Sequence, residues 1–252
     1  MAADNAPFRP VEPVLAYQRV AEQIEERILS GDLPPGARLP AERELVHQFA
    51  VGRSTVREAL RVLQAAGLIR SRPGDPLGAE VLGVSSDNLT QALGRLTRSH
   101  SLTLGELVQF RMVLDAESNR LAARLRTEGD LAEMARHIAI METRAKEGFQ
   151  TFGEADALFH RAVSEATGNT LLRLCALAVH EAVVDIIERK IATATDAASL
   201  MDRSIVVHRQ VLAAIRAGDG ELAARLGREA LYDYYADYVE PGQRGLLDAA
   251  VE

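Results

Sequence analysis

Four residues beyond the first third of the chain are of types that bind ligands and that seldom lie on apolar helix faces without a partner. Asp156 and His160 are four apart, so on a helix they share one face, and Phe152, Phe159 and Val163 mark that face as bordering a core. His208 falls between Ile205 and Leu212 on a second apolar stripe. One carboxylate and two imidazoles turned into one interior are ligand types that suit Zn, Ni or Mn. Arg111 sits between Val108 and Leu114 on a stripe that also holds Leu104, Leu107 and Leu121. A buried guanidinium has to be paired, and its planar fork fits a carboxylate. That carboxylate is either Asp115, one turn on, or an anionic ligand. Without a metal, Asp156 and His160 can pair with each other and with such a ligand.

The first third of the chain carries a different chemistry. Between Arg38 and Arg72 stand seven arginines (38, 43, 53, 57, 61, 70, 72) against three glutamates (42, 44, 58), in a chain whose formal net charge is −7. A basic island in an acidic protein suits phosphate binding, because each neutralised phosphate releases counterions. The same stretch reads as two short helices and an edge strand. The first is Ala41–Phe49, with Leu45 and Phe49 on one face; the second runs from about Ser54 to Ala66, with Val56, Ala59, Leu60 and Leu63 at helical spacing. Ala50-Val51-Gly52 is the turn, with Gly52 expected to take the unusual backbone angle. Thr55-Val56-Arg57-Glu58 is expected to form a capping box. The second helix then offers Arg53, Ser54, Thr55 and Arg57 at its N-terminal end, where a recognition helix meets base edges in the major groove.

The rest of the chain positions these groups. Residues 1–13 are polar and Pro-rich and are expected to form a disordered arm. A helix over about 14–29 buries Tyr17, Val20, Ala21, Ile24 and Ile28, and Pro34-Pro35-Gly36 follows its end. A DNA-binding domain is expected over 14–82, a linker over 83–88, a helical domain over 89–240 and a tail over 241–252. Helices are expected at 86–99, 103–126, 130–147, 150–167, 170–193, 199–216 and 219–238, with breaks at Gly129, Gly148, Gly168-Asn169, residues 193–198 and Gly218-Asp219-Gly220. The fold class is mainly α: an N-terminal winged helix-turn-helix with a small β wing, then an antiparallel bundle of six or seven helices. No apolar run is long enough to span a membrane. Cys175 is the single cysteine, so disulfides are excluded and a reducing cytoplasm fits. His47, His100 and His137 carry no expected role, and Tyr232, Tyr234, Tyr235 and Tyr238 read as packing or pocket wall.

The stretch PPGARLPAERELVHQFAVGRSTVREALRVLQAAGLI closely resembles the winged helix-turn-helix of the GntR family of bacterial transcription regulators, nearly continuously from Ile24 to Ile69. The resemblance implies DNA contacts from Arg43, Arg53, Ser54, Thr55 and Arg57. It also implies a wing whose tip, Arg72 to Gly78, enters the minor groove, with Gly74 matching a family glycine. Asp75-Pro76-Leu77 departs from the family pattern of Gly-x-Gly followed by Thr and an aromatic, and sets an acid near phosphate. The helical half is similar to the effector domain of the family's FadR branch at Phe159-His160, Thr167-Gly168-Asn169, and His208 followed by Ala214–Asp219. That similarity implies an effector held by Arg111, Asp156, His160 and His208, and a divalent metal on Asp156, His160 and His208. The further histidine of the family's metal sites would fall at Ala230, which cannot ligate. Asp233, one turn away, and His180 are the groups that could replace it.

The expected function is a ligand-responsive transcription regulator, a repressor in most of this family. It would pair as a homodimer on pseudo-palindromic operator DNA, and its DNA affinity would respond to a small organic acid. The competing reading is a metal-dependent hydrolase on a helical scaffold, tethered by the basic head. No separate general base or nucleophile motif accompanies the metal ligands, which weighs against it. An architectural DNA protein without a ligand leaves the buried Arg, Asp and His unexplained.

Overall fold

A computed structural model of the chain describes residues 15–72, 77–83, 86–99, 101–192 and 197–251. The expected arm at 1–13, Gly74 at the wing tip and His100 lie outside these residues. The chain divides into two compact units, residues 1–85 and 86–252.

In the first unit, α1 (Ala16–Leu29) turns Val20, Ala21 and Ile24 inward at the spacing of one helical face. α2 (Glu42–Phe49) and α3 (Arg53–Ala65) follow, with Leu45 and then Val56, Ala59, Leu60 and Leu63 buried. These side chains form one core with Leu39, Ile69 and Val81. Burying each large aliphatic side chain there stabilises by about 1.5–3 kcal/mol.

Two local readings are corrected. Ala50, not Gly52, takes the left-handed conformation between α2 and α3 (φ 52°), while Gly52 is extended at φ −69°. The Val51 N–H reaches back to the Val46 carbonyl at 3.3 Å, and this closure of the α2 C-terminus offsets the strain at a residue with a Cβ. The Thr55–Glu58 capping box does not form. Gly52 is the N-cap, so α3 starts earlier than expected, and the Glu58 carboxylate accepts a hydrogen bond from Arg61 Nη1 at 3.1 Å.

β1 (Ile69–Arg70) and β2 (Glu80–Val81) pair antiparallel, Ile69 opposite Val81 and Arg70 opposite Glu80. They form the base of the expected wing. Gly78 closes it at φ 75°, and a Cβ there would run into the Leu39 carbonyl oxygen. Gly78→Ala should therefore destabilise this unit by about 2–4 kcal/mol. Calorimetry should show its unfolding transition moving down while that of the helical unit stays in place.

Among the described residues the regular elements of the second unit are all helices: α4 (Asp87–Arg98), α5 (Leu104–Leu125), α6 (Glu128–Arg144), α7 (Phe149–Glu165), α8 (Thr170–Ala192), α9 (Ala197–Ala217), α10 (Gly220–Tyr235) and α11 (Arg244–Val251), with two short 3-10 turns between the last two. Thr103 with Glu106, and Thr127 with Asp130, make reciprocal capping boxes that start α5 and α6. Gly129 lies inside α6 and breaks nothing; the chain turns at Arg126-Thr127 instead. The segment 241–252, expected as a tail, instead carries a single 3-10 turn and α11. Leu247 is 0 % exposed and the Leu246 carbonyl accepts from Gln109 Nε2 of α5 at 2.9 Å, because Leu246, Leu247 and Val251 supply an apolar face that α5 covers. One apolar cluster joins the end of α5 to α6, α7, α9 and α10, and a second joins the start of α5 to α8, α10 and α11.

Candidate effector site and DNA-binding surface

α7 brings Asp156 and His160 into the helical unit by the same turn that buries Phe152, Phe159 and Val163 on its core side. α9 brings His208, and the ring of Phe159 holds its imidazole edge-on at 4.5 Å between centroids. α5 brings Arg111, 2 % exposed, and α10 brings Tyr235. The four expected residues therefore meet, and the ligand atoms of Asp156, His160 and His208 all lie within 4.8 Å of one another.

The hydrogen bonds orient each ring. His208 Nδ1 donates to the Ser204 carbonyl at 2.6 Å, which turns Nε2 toward Asp156 Oδ1, 3.2 Å away. His160 Nδ1 faces Asp115 Oδ2 at 3.4 Å, and its Nε2 faces Asp156 Oδ2 at 3.6 Å and His208 Nε2 at 3.4 Å. A carboxylate or carbonyl on the far nitrogen is the usual way a protein aims an imidazole lone pair at a metal. Three electron-rich groups facing one another at this range need positive charge between them, whether a proton or a metal ion. Burial works against the charge on each, but the histidines around Asp156, His160 foremost, hold its carboxyl far below the usual carboxylate range. Burial likewise opposes charge on His208, yet the hydrogen bond and charge of Asp156 raise its pKa. Burial lowers the pKa of His160, and Arg111 adds to that against Asp115 and Asp156.

Arg111 makes the internal pair that was one of its two expected readings. Its Nε donates to Asp115 Oδ2 at 3.3 Å, its Nη1 to the Tyr235 hydroxyl at 2.7 Å, and its Nη2 lies 3.4 Å from His160 Nε2. Burial opposes its charge, but Tyr235 and the Asp115 carboxylate outweigh burial and hold the guanidinium charged. The group is thus internally paired and still faces a cavity of about 680 Å³ lined by Arg111, Asp156, His160, His208, Ala230 and Tyr234, among others.

Sequence reasoning missed the Tyr235 contact and the role of Asp115 behind His160. Tyr235 was one of four clustered tyrosines, and only its place on the buried face of α10 could have singled it out. His180 is 3 % exposed with Nε2 4.0 Å from Asp156 Oδ2, and burial depresses its pKa well below the ordinary value. Asp233 lines the cavity but is exposed. His137 is buried against Glu133, and His47 is exposed.

In the first unit, Arg53 and Ser54 are exposed in the first turn of α3, Thr55 is half-buried beside them, and Arg57 is exposed one turn on. Arg57 Nε is tied to Glu42 Oε2 at 2.9 Å, which links α3 to the start of α2. Arg43 lines a groove with Arg72 and Gly78, so one surface holds α2 and the base of the wing.

Residues 16–78 match the family "Bacterial regulatory proteins, gntR family", and residues 106–233 match the "FCD domain". This chain belongs to the GntR family, in its FadR-type branch with an FCD domain. Two relatives of this GntR protein are named "HTH-type transcriptional repressor NanR", from Escherichia coli strain K12 and Shigella flexneri. Each is 29 % identical over 245 residues, spanning 95 % of this chain and 90 % of the relative. The solved structure of a Streptococcus agalactiae GntR superposes with a TM-score of 0.63 at 23 % identity, covering 86 % of this chain and 98 % of that one. It supports the fold. This GntR protein is a ligand-responsive, DNA-binding transcription regulator. Family and relatives are regulators rather than enzymes, which leaves the hydrolase reading without support. Among the described residues no helix is long and apolar enough to cross a membrane.

Proposed function

We propose that this regulator is a homodimeric repressor that reads operator DNA with α3 and answers to a small organic acid in the FCD cavity. The observation that carries the reading is Arg111. It is a buried guanidinium that lines a cavity of about 680 Å³ beside two imidazoles, with Nη2 3.4 Å from His160 Nε2. A carboxylate is the ligand class that such a fork recognises. Arg43, Arg53 and Arg57 position on phosphate or read guanine, and Ser54 and Thr55 add short contacts. Two recognition helices related by a twofold axis address a pseudo-palindromic site. Such a protein works on the chromosome, in the bacterial cytoplasm.

Asp156, His160 and His208 are the residues that would hold a divalent metal, Zn, Ni or Mn. The donor set fits. One carboxylate and two imidazoles are ligand types these ions take, and their ligand atoms all lie within 4.8 Å of one another. A bound metal would supply a Lewis-acid anchor for an anionic oxygen. The chain's own residues do the rest: Asp115 and the Ser204 carbonyl orient the imidazoles, Tyr235 and Asp115 hold Arg111, and the cavity encloses the acid.

The effector must bind the operator-competent arrangement and its alternative unequally, or it changes nothing. The test is an operator selected from a random duplex library, with its affinity measured by fluorescence anisotropy against a panel of small carboxylates and sugar acids. At least one acid should shift the operator affinity about 5- to 150-fold, the usual range of allosteric coupling. A selected operator whose affinity is indifferent to every acid would remove the acid from the proposal.

A further inference from the structure

The groups that line the helical-unit cavity are of two kinds. The buried polar ones are largely engaged with the protein itself. Arg111 Nε and Nη1 are held by Asp115 and the Tyr235 hydroxyl, His208 Nδ1 by the Ser204 carbonyl, and the Asn119 amide by the Ala223 carbonyl. Asp202, Arg203 and Asp233 line the cavity too, but they are exposed and keep their water. A ligand is left one place for its charge, beside Arg111 Nη2 and the imidazoles. The second kind of lining is apolar: Phe152 from α7, Val184 and Ile187 from α8, and Val206, Val207 and Val211 from α9. Phe152, Ile187 and Val211 are buried in the two apolar clusters. Among the described residues Val184 and Val206 belong to neither cluster, and Val206 is 50 % exposed. The wall that α10 turns toward this space includes Gly227 and Ala230, which add no bulk to fill it.

We propose that the acid this regulator answers to has a hydrocarbon body, alkyl or aryl, which covers Val184, Val206 and Val207, and that polyhydroxylated acids of the same length are rejected. This rests on the reading of the cavity as an acid site. The two kinds of lining divide the work. A few placed polar groups fix the carboxylate, and the apolar wall supplies the area that a ligand buries. Each hydroxyl of a sugar acid would give up water on entering, and would need a partner in the wall to recover the loss. Valine and isoleucine offer none, and the buried polar groups already have partners. A hydrocarbon body loses nothing on leaving water. It gains by covering the two valines that the fold itself leaves outside both clusters.

The experiment is titration calorimetry of the full-length protein, with and without added Zn, against acetate, butanoate, hexanoate, phenylacetate and gluconate. Hexanoate and gluconate make the decisive pair: they share a carbon chain, and gluconate carries a hydroxyl on every carbon beyond its carboxylate. Affinity should climb about two- to fourfold for each methylene from acetate to hexanoate, as burial of that group predicts. The heat capacity change of binding should grow more negative along the same series. Phenylacetate should bind at least as tightly as butanoate, and gluconate no better than acetate, each at one acid per chain. Val184→Thr with Val206→Thr keeps the side-chain shapes and makes the wall polar. That variant should weaken hexanoate at least fivefold and leave acetate unchanged. Gluconate binding as tightly as hexanoate would overturn the hydrocarbon body and leave the acid-responsive regulator standing. A dependence on chain length that survives the double variant would overturn the assigned wall. If no acid in the series binds, the acid site falls, and this proposal falls with it.

Discussion

Arg111→Ala should cost the helical unit about 3–5 kcal/mol, because it breaks a buried ion pair from one side and leaves the other charge behind. Asp115 would keep only His160 Nδ1, at 3.4 Å, and the Tyr235 hydroxyl would lose its donor. At about 2–4 °C per kcal/mol for a unit of this size, the melting temperature should fall by on the order of 10 °C. The same change should abolish the operator response to acid while leaving operator binding itself intact at temperatures where the protein is folded. Stability and recognition separate in a second variant. Arg111→Met with Asp115→Asn removes both charges, so part of the lost stability should return, yet the acid response should not. Arg111→Lys keeps the charge but cannot reach Asp115, Tyr235 and His160 together; its response should be weak. An unchanged response in the folded double variant would show that Arg111 is a structural ion and that the acid is held elsewhere.

The value of Arg111 as a marker shows what the sequence could and could not disclose. Its place on an apolar stripe of α5 was legible because helical periodicity is local: Val108 and Leu114 are enough to show that the face is buried. The same logic exposed Asp156, His160 and His208. The partners of Arg111 were not all legible. Asp115 is one turn away, but Tyr235 is 124 residues distant, and the pairing depends on α10 crossing α5. The helix starts show a second limit. Thr55 and Glu58 have the spacing of a capping box, and so do Thr103 with Glu106 and Thr127 with Asp130; the latter two form. The first does not, because the closure of α2 through Ala50 sets the chain direction and commits Gly52 to the N-cap position. The helix at 244–251 was missed because it is short, and its stability comes from the α5 face that it covers.

On the DNA side, Arg53→Ala is expected to weaken specific operator binding by about 1–3 kcal/mol, roughly 5- to 150-fold, and to blur sequence preference at the position it reads. Its exposure means that the melting temperature should not move. Arg57→Ala should behave differently. Arg57 is held by Glu42 at 2.9 Å, so its loss removes a phosphate contact and also leaves an unneutralised carboxylate on the same surface. Binding should weaken on all sequences alike, and the slope of log affinity against log salt should fall by about one. Glu42→Ala is the informative companion. It frees Arg57 and removes the acid, so affinity for non-specific duplex should rise at low salt, and Arg57→Ala on that background should cost less than on the wild type. Anisotropy titrations over a range of salt concentrations test all three. An Arg53→Ala protein that finds the operator as well as wild type would move the reading head away from the start of α3.

The wall that α10 turns toward the cavity also bears on how such a regulator can change its preference over evolutionary time. Gly227 is not free to vary, since a Cβ there would come within 2.5 Å of Asn119 Nδ2, whose amide is committed to the Ala223 carbonyl. Asp156, His160 and His208 are bound to one another, and Arg111 is bound to the stability of the bundle. Ala230 and Asp233 line the cavity without belonging to either apolar cluster. Drift at these two positions alters what the cavity accepts while sparing what keeps the protein folded. Paralogues answering to different acids can therefore diverge there first, along a path where each intermediate still folds and still finds DNA.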